Sequence, residues 1–157
     1  MSLSHDHAAL ESLPVKLLVV AVVASLSIIP AAEALDGMRT HEFIRKAELQ
    51  LAEIVACAEI LMVNGPGNVR TISLDFSVDG TAGFSHLTLG DAKDGANCSS
   101  AILELRSGAH MIRTADEPSA WMSSANGSGL EISSPVFDLR MSAHFLEQRP
   151  YILVEVY

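Results

Sequence analysis

The sequence predicts an α+β protein: a long N-terminal helix, apolar in its first half and amphipathic in its second, followed by a β-rich head. Three observations support this prediction. Residues 15–35 form one largely apolar block, residues 38–63 repeat apolar side chains at helical spacing, and residues 69–157 alternate apolar and polar side chains in short runs. A chain of 157 residues has room for one modest domain and an appendage.

The composition argues against several classes of function. The chain carries 19 acidic and 10 basic residues, a formal net charge of −9, and 49% of its residues are hydrophobic. The phosphate backbone of a nucleic acid would repel so acidic a protein, and we expect no nucleic-acid partner. The sequence contains no nucleophile elbow, glycine-rich phosphate loop or histidine and carboxylate metal motif, so we expect no enzyme, no metal and no cofactor.

The apolar block is uncharged between Lys16 and Glu33 and is about as long as the shortest helices that span a bilayer, roughly 17 residues. Such a segment is expected to leave water, by export or by membrane insertion. In one interpretation it is a signal peptide. Ala32-Glu33-Ala34 has the small-x-small pattern that a secretory signal peptidase reads, and the mature protein would begin at Leu35.

In a second interpretation the apolar block is retained. A leader of residues 1–8 is removed, and residues 9–64 form a single long helix. Ser12 suits the cap of this helix and Pro14 its first turn, while Pro30 makes a kink that packed neighbouring helices tolerate. A plain membrane anchor is a third interpretation.

The amphipathic stretch, residues 38–63, is predicted to pack one face of the helix against a sheet. Its apolar side chains recur at three- and four-residue steps, at Ile44, Ala47, Leu51, Ile54, Ala58 and Leu61. The run Asn64-Gly65-Pro66-Gly67 stacks residues that terminate helices, so the helix is predicted to end there.

The head, residues 69–157, is predicted to be an antiparallel β-sandwich or a curved sheet of about seven short strands. Ile72, Leu74 and Phe76 alternate with polar residues, which is typical of a sheet covered on one face. The predicted strands are Val69–Phe76, Phe84–Leu89, Ala101–Arg106, His110–Thr114, Leu130–Ser133, Val136–Ala143 and Tyr151–Val156.

Five further residues are candidates for modification or contact. Cys57 and Cys98 form a disulfide if the compartment oxidises them, or else remain two separate thiols. Asn97 and Asn126 lie in N-x-Ser sequons and are predicted glycosylation sites of an exported protein. Trp121 stands in the longest polar loop, either as a surface contact or folded back onto the sheet edge, and the second is more usual for a large aromatic residue.

The order of these parts resembles that of the archaeal type IV pilin-like proteins, the archaellin and pilin superfamily. The runs ALESLPVKLLVVAVVASLSIIP, NGPGN and VRTISLDF, with the amphipathic helix before NGPGN, are similar to that group's ESLP-type start, apolar helix, GPGN-like turn and β head over residues 9–76. The resemblance implies a cell-surface filament subunit whose leader a prepilin-type peptidase removes near Ala8 and Ala9. It also implies that the membrane holds the helix until pilus assembly machinery bundles the copies. The helix residues expected in this bundle are Leu17, Val20, Ala24, Ile28 and Pro30.

Two functional hypotheses remain, and a third has no motif in its favour. The first is a structural filament subunit whose partners are further copies of itself and whose function is assembly. The second is a secreted or membrane-anchored binding module, whose β-sandwich head recognises a ligand through the loop of Trp121. The third, an exported enzyme, lacks any constellation of reactive residues.

Overall fold

The structure, a computed structural model, describes residues 6–77, 83–93, 95–116, 120–146 and 149–157. It includes side chains from Pro14 onward within these ranges, except at positions 27 and 29. The chain is α+β, with one long helix followed by two mostly antiparallel sheets of four strands each. Its internal contacts divide it into two compact units, Met1–Met38 and Arg39–Tyr157.

Helix α1 runs from Asp6 to Asn64, with Pro14 and Pro30 inside it. It begins before Ser12, so the prediction that Ser12 caps the helix and that Pro14 lies in its first turn was wrong. The residues that precede Pro14 include Ala8, Ala9, Leu10 and Glu11, which favour helix and extend it toward the N-terminus.

The end of α1 confirms the predicted terminator run. The helix stops at Asn64, and Gly65 follows with a φ of 78°, in the left-handed region where glycine carries no steric penalty. The Gly65 N–H donates to the Leu61 carbonyl at 3.0 Å, and the side-chain amide of Asn68 donates to the Asn64 carbonyl at 3.0 Å. These bonds satisfy carbonyl groups that the helix end leaves without intrahelical donors.

Eight strands follow in the described part of the chain. They are β1 Val69–Asp75, β2 Phe84–Leu89, β3 Ser100–Leu105, β4 His110–Thr114, β5 Met122–Ser123, β6 Leu130–Ile132, β7 Val136–Leu146 and β8 Arg149–Val156. Each of the seven predicted strands has a counterpart among them. Strand β5 was not predicted, because a two-residue strand is too short to show an alternating pattern.

The first sheet has the strand order β1-β7-β8-β5 and the second the order β4-β3-β2-β6. All neighbouring strands are antiparallel except β5 and β8, which run parallel, with Met122 opposite Ile152. Strand β7 lies inside the first sheet, where Leu74 of β1 is opposite Phe137. On its other side Val154 of β8 is opposite Met141.

The core of the second unit joins the second half of α1 to both sheets in one hydrophobic cluster. The predicted helical stripe is confirmed at Ala47, Leu51, Ile54, Ala58 and Leu61, all at most 2% exposed. Ile44 is only half-buried, and the neighbouring Phe43 takes the core position instead. The alternating strand pattern is confirmed as well, since Leu74, Phe76, Ala101, Leu103, Leu105, Ile152 and Val154 are all buried.

Candidate assembly surface

The apolar block of α1 is exposed along its described length. Each of its described large apolar side chains is at least half exposed: Val15, Leu17, Leu18, Val19, Val20, Val22, Val23, Leu26, Ile28 and Leu35. Within the described part of the chain, α1 alone is long and apolar enough to cross a bilayer. The mean hydropathy of its most apolar 18-residue stretch is 2.3, and none of that stretch is buried within the chain. The segment is therefore compatible with membrane insertion.

Four of the five predicted assembly residues share one face of α1. At 3.6 residues per turn, Leu17, Val20, Ala24 and Ile28 fall within about 80° of the helix circumference. The small side chain of Ala24, between larger ones, allows a second helix to approach closely there. Pro30 lies outside this face, roughly 125° from its centre, so it does not belong to the same contact stripe.

Ser25 and Pro30, inside the apolar block, each affect the hydrogen bonds of the helix backbone. The Ser25 hydroxyl donates to the Ala21 carbonyl at 2.7 Å, which satisfies the one hydroxyl donor of that side chain within the helix itself. Pro30 has no N–H, so it offers no intrahelical hydrogen bond to the carbonyl of Leu26. The helix nevertheless continues through Pro30 to Asn64, so the proline does not stop it.

An ion pair joins α1 to the first sheet near the Arg39 end of the second unit. Lys46 Nζ donates to Asp75 Oδ2 at 2.9 Å. The backbone N–H of Ser77 donates to the same carboxylate at 2.8 Å, and the Ser77 hydroxyl also bonds to it. The Ser77 hydroxyl, followed by the Lys46 ammonium, lowers the pKa of Asp75 from 3.8 to about 2. The carboxylate therefore stays ionised across the physiological range.

The two cysteines are free thiols in the structure, which is one of the two states that the sequence left open. Cys57 lies in α1 and is buried, while Cys98 lies in the loop between β2 and β3 and is half-buried. The Cys98 thiol contacts the Ser99 hydroxyl, with a sulfur-to-oxygen distance of 3.7 Å.

The two sequon residues are accessible. Asn97 is exposed in the loop before β3, and Asn126 is exposed in the loop between β5 and β6. An oligosaccharide needs such a position, because the transferred sugar has to remain in solvent. Glycosylation at Asn97 and Asn126 stays a prediction.

Trp121 is folded into the head, as the more usual of its two interpretations expects. The side chain is 9% exposed, and its indole N–H donates to the Asp91 carbonyl at 3.3 Å. Its ring lies 5.2 Å from that of Tyr151, between centroids. The adjacent strand β5 explains this position, because the Ile152 N–H donates to the Trp121 carbonyl at 2.7 Å and fixes the backbone.

Two exposed apolar side chains at the end of β7 were not predicted. Strand β7 was predicted to end at Ala143, but it continues to Leu146. Phe145 is 62% exposed and Leu146 43% exposed, opposite Pro150 and Arg149 respectively. The signal was the alternation of apolar residues from Phe137 onward, which includes position 145.

The remaining predicted residues add no reactive centre. Ala8 and Ala9 lie in the helix, but their side chains fall outside the described residues, so the proposed cleavage position stays a prediction. Among the described residues, no group of three or more His, Cys, Asp or Glu side chains is placed to hold a metal ion. Comparison of the chain with protein-family models, with curated proteins and with solved structures finds no match.

Proposed function

We propose that the protein is the structural subunit of an archaeal type IV pilus-like filament on the cell surface, assembled by bundling of the apolar N-terminal helices. The observation that supports this proposal is the apolar block of α1, whose described large side chains are all at least half exposed, next in sequence to a well-packed unit. Burying one large aliphatic side chain stabilises by about 1.5–3 kcal/mol, so an exposed series of ten drives insertion or association strongly.

Assembly then transfers the helix from lipid to protein. The bilayer covers the apolar block before assembly, and in the filament the face of Leu17, Val20, Ala24 and Ile28 packs against the same face of other copies. Because lipid is as apolar as these side chains, close packing at small residues such as Ala24 supplies the gain. Pro30 offers no hydrogen bond to a carbonyl of its own helix, which packed neighbouring helices tolerate.

The other parts of the proposal concern processing and the head. A prepilin-type peptidase removes the leader near Ala8 and Ala9, and pilus assembly machinery extracts the helix from the membrane. The two four-stranded sheets form a β-sandwich head outside the cell, on which Asn97 and Asn126 carry glycans. Cell adhesion through the head and the absence of catalysis belong to the same proposal.

The test is a charge placed on the bundling face. Val20→Asp and Ala24→Asp are each expected to abolish filaments, seen by electron microscopy of the native cell surface, because an unpaired carboxylate costs about 2.5–3.5 kcal/mol at the centre of an apolar helix bundle or bilayer. Ala96→Asp, in an exposed loop of the head, is the matched control and leaves filaments intact. Normal filaments from the Ala24→Asp variant would overturn the proposal.

The second candidate is a secreted or membrane-anchored binding module, and one observation favours it. Among the described side chains the buried hydrophobic residues begin at Phe43, so a signal peptidase cut after Ala34 would leave all of these in the mature chain. The N-terminus of the protein from its native cells separates the two candidates. A start near Ala9 supports the filament, whereas a start at Leu35 removes the bundling helix and supports the binding module.

A further inference from the structure

Strand β4, His110–Thr114, forms one edge of the second sheet, and no described strand pairs with its other side. Four of its five residues are exposed, and Ile112 at its centre is 54% exposed. Edge strands of natural proteins are usually shortened or carry a proline, a bulge or several charges, because an open edge pairs with other chains. Strand β4 has no proline, an unbroken register with β3 and a single Lys or Arg residue, so its edge is open to pairing.

Alternate residues of β4 direct their main-chain groups to this edge. The Ala109 carbonyl before β4 and the Ala115 N–H after it bond to the side of β3, at 2.8 Å and 2.9 Å. In an antiparallel pair the direction of the main-chain groups alternates from one residue to the next. The N–H and carbonyl groups of His110, Ile112 and Thr114 therefore point away from β3, toward the open edge.

A pocket of about 440 Å³, here named the edge pocket, lies between β4 and α1 and is lined by Glu48, Leu51, Met111, Ile112 and Arg113. Met111 and Arg113 are opposite buried residues of β3, so their side chains share the face of the sheet that meets α1. Glu48 and Arg113 are both exposed, and neither has a hydrogen bond or an ion pair with another described residue. The edge pocket therefore holds two opposite charges that a partner can match.

A second copy of β4 fits this edge in an antiparallel arrangement centred on Ile112. Ile112 then bonds to Ile112 of the second copy, and His110 and Thr114 bond to each other across the pair, which gives about six main-chain hydrogen bonds. We propose that β4 pairs with β4 of a second copy in this way, so that the second sheets of two heads form one continuous sheet.

Charge complementarity identifies a second copy as the occupant of this edge. In the arrangement centred on Ile112, Arg113 is opposite Met111 of the second copy, on the side where Glu48 of that copy lines the edge pocket. The arrangement is symmetric, so two ion pairs between Glu48 and Arg113 form, one in each edge pocket. A parallel pairing would place the pocket side of one copy beside the outer side of the other and leave these charges unmatched.

The direction of α1 decides which copies can meet. Glu48 lies beside the middle of β4, and the Asp116 N–H, after the end of β4, donates to Glu59 at 2.8 Å, so α1 and β4 run in the same direction. Antiparallel β4 strands therefore place the Arg39 ends of the two second units in opposite directions. Copies in one filament share a direction, so the contact joins the heads of two filaments that meet in opposite orientation, as filaments from two facing cells do. The inference rests on the proposed function and names the partner of its adhesion as the same subunit on another cell.

A single contact of this kind is weak. A strand of five residues is far smaller than the roughly 20–30 residues per side of stable interfaces, and exposed ion pairs contribute little. Dilute heads are therefore expected to stay monomeric, whereas two filaments hold together because many contacts form at once. Each contact joins identical surfaces, so it closes on two copies and does not itself extend a filament.

Charge exchange in the full-length protein on native cells tests the contact. Wild-type cells are expected to clump and their filaments to bundle in electron micrographs, unlike cells whose gene is deleted. Cells that carry Arg113→Glu or Glu48→Arg are each expected to make filaments but to lose clumping, because like charges then meet in each edge pocket. A mixture of the two variant strains, labelled with different dyes, is expected to regain clumps that contain both, because each edge pocket again receives the opposite charge. An ion pair within one chain cannot produce this recovery.

Three outcomes would contradict the contact. Wild-type filaments without clumping, or a mixture of the two variants that stays dispersed, would overturn the contact and leave the proposed function intact. Wild-type cells that clump as well with gene-deleted cells as with each other would show that the edge takes a strand from another protein, which also overturns the contact. Wild-type cells that make no filaments of this subunit would overturn both the contact and the proposed function.

Thiol cross-linking tests the register of the pairing. In a Cys98→Ser background, Ile112→Cys places two thiols directly opposite each other, with Cα atoms about 5.5 Å apart, a distance that a disulfide spans. Bundled filaments oxidised with a copper–phenanthroline catalyst are expected to give covalent dimers and no higher multimers on a denaturing gel. Cys57 remains, because it is buried.

Thr114→Cys, on the same strand, is the matched control for this register. Its two thiols would lie about 13 Å or more apart along the paired strands, so we expect no dimers from it. Dimers in equal amounts from Ile112→Cys and Thr114→Cys would overturn the register. Bundled filaments that give no dimers with Ile112→Cys would overturn the pairing.

Discussion

At the scale of single residues, Gly90 shows how closely the loop after β2 approaches β5. Its φ is 66°, and a Cβ at this position would lie 1.9 Å from the Met122 carbonyl oxygen. Only glycine fits both the left-handed backbone and this approach. The same contact anchors the segment of Trp121, because the Gly90 N–H donates to the Ser100 carbonyl and the Met122 N–H to the Cys98 carbonyl.

The first prediction concerns this glycine. Gly90→Ala is expected to lower the free energy of unfolding by about 2–5 kcal/mol, from backbone strain and the clash with Met122 together. Gly108→Ala is the matched control. Gly108 has a φ of 82° but nothing within 4 Å of its added Cβ, so it should cost only the strain, about 1–2 kcal/mol. Denaturant unfolding measures both, and equal losses would contradict the close approach.

The second prediction concerns the ion pair of Lys46 and Asp75. The pKa of Asp75 is about 2 in the folded chain, below its ordinary 3.8, so the ionised carboxylate stabilises the fold above about pH 4. This contribution is lost as the pH falls toward 2. Asp75→Asn is therefore expected to destabilise at pH 7, by less than about 1 kcal/mol because the side chain is half exposed, and to have a much smaller effect at pH 2, where the folded carboxylate is about half protonated.

Unfolding curves at the two pH values measure this difference. Glu131→Gln, at an exposed position on β6, is the control for a general change in net charge. A destabilisation by Asp75→Asn that persists unchanged at pH 2 would show that the carboxylate acts through something other than its charge.

At the scale of elements, the pattern of side chains predicted most of what the chain builds locally. The helical stripe, the terminator run and seven of the strands could be read from spacing alone, because burial on one face forces that spacing. The extension of β7 could also have been read, because its apolar alternation continues to Phe145. Strand β5 and the early start of α1 could not be read from spacing. Strand β5 depends on main-chain bonds to a strand far away in sequence, and α1 starts early because helix-favouring residues precede Pro14, a residue that by itself predicts a helix start.

The third prediction concerns the thiols of Cys57 in α1 and Cys98 in the loop before β3. Because both are free in the structure, the melting temperature of the full chain is expected to be the same with and without a reducing agent. A bridge would close a long loop and stabilise by about 3–4 kcal/mol. A clear rise on oxidation, lost in Cys98→Ser, would show that the two cysteines pair.

At the scale of the whole molecule, the two compact units differ in what each buries. The second unit holds the whole hydrophobic cluster of the described residues, whereas the large apolar side chains described in the first unit are exposed. The apolar composition of residues 15–35 predicted this division. The strand orders of the two sheets could not be predicted, since the spacing of side chains within a strand does not say which strands become neighbours.

The fourth prediction concerns this division. A variant that begins at Leu35 is expected to be a soluble monomer with one cooperative melting transition, because the core starts at Phe43. Size-exclusion chromatography and circular dichroism measure the two properties. A variant that begins at Leu51 loses Phe43 and Ala47 from the core and is the control, expected to melt well below the first. Aggregation of the variant from Leu35 would show that the head depends on the apolar helix.

The position of Tyr157 decides where a label can be attached. Its N–H donates to the Asp138 carbonyl at 3.0 Å, and its hydroxyl accepts a hydrogen bond from the Arg140 guanidinium at 2.8 Å. Both partners lie at the start of β7, close to Pro135. A fluorescent protein or affinity tag fused after Tyr157 would therefore crowd this part of β7. A small epitope in an exposed loop away from β7 and from the two sequons would leave it free for imaging in living cells.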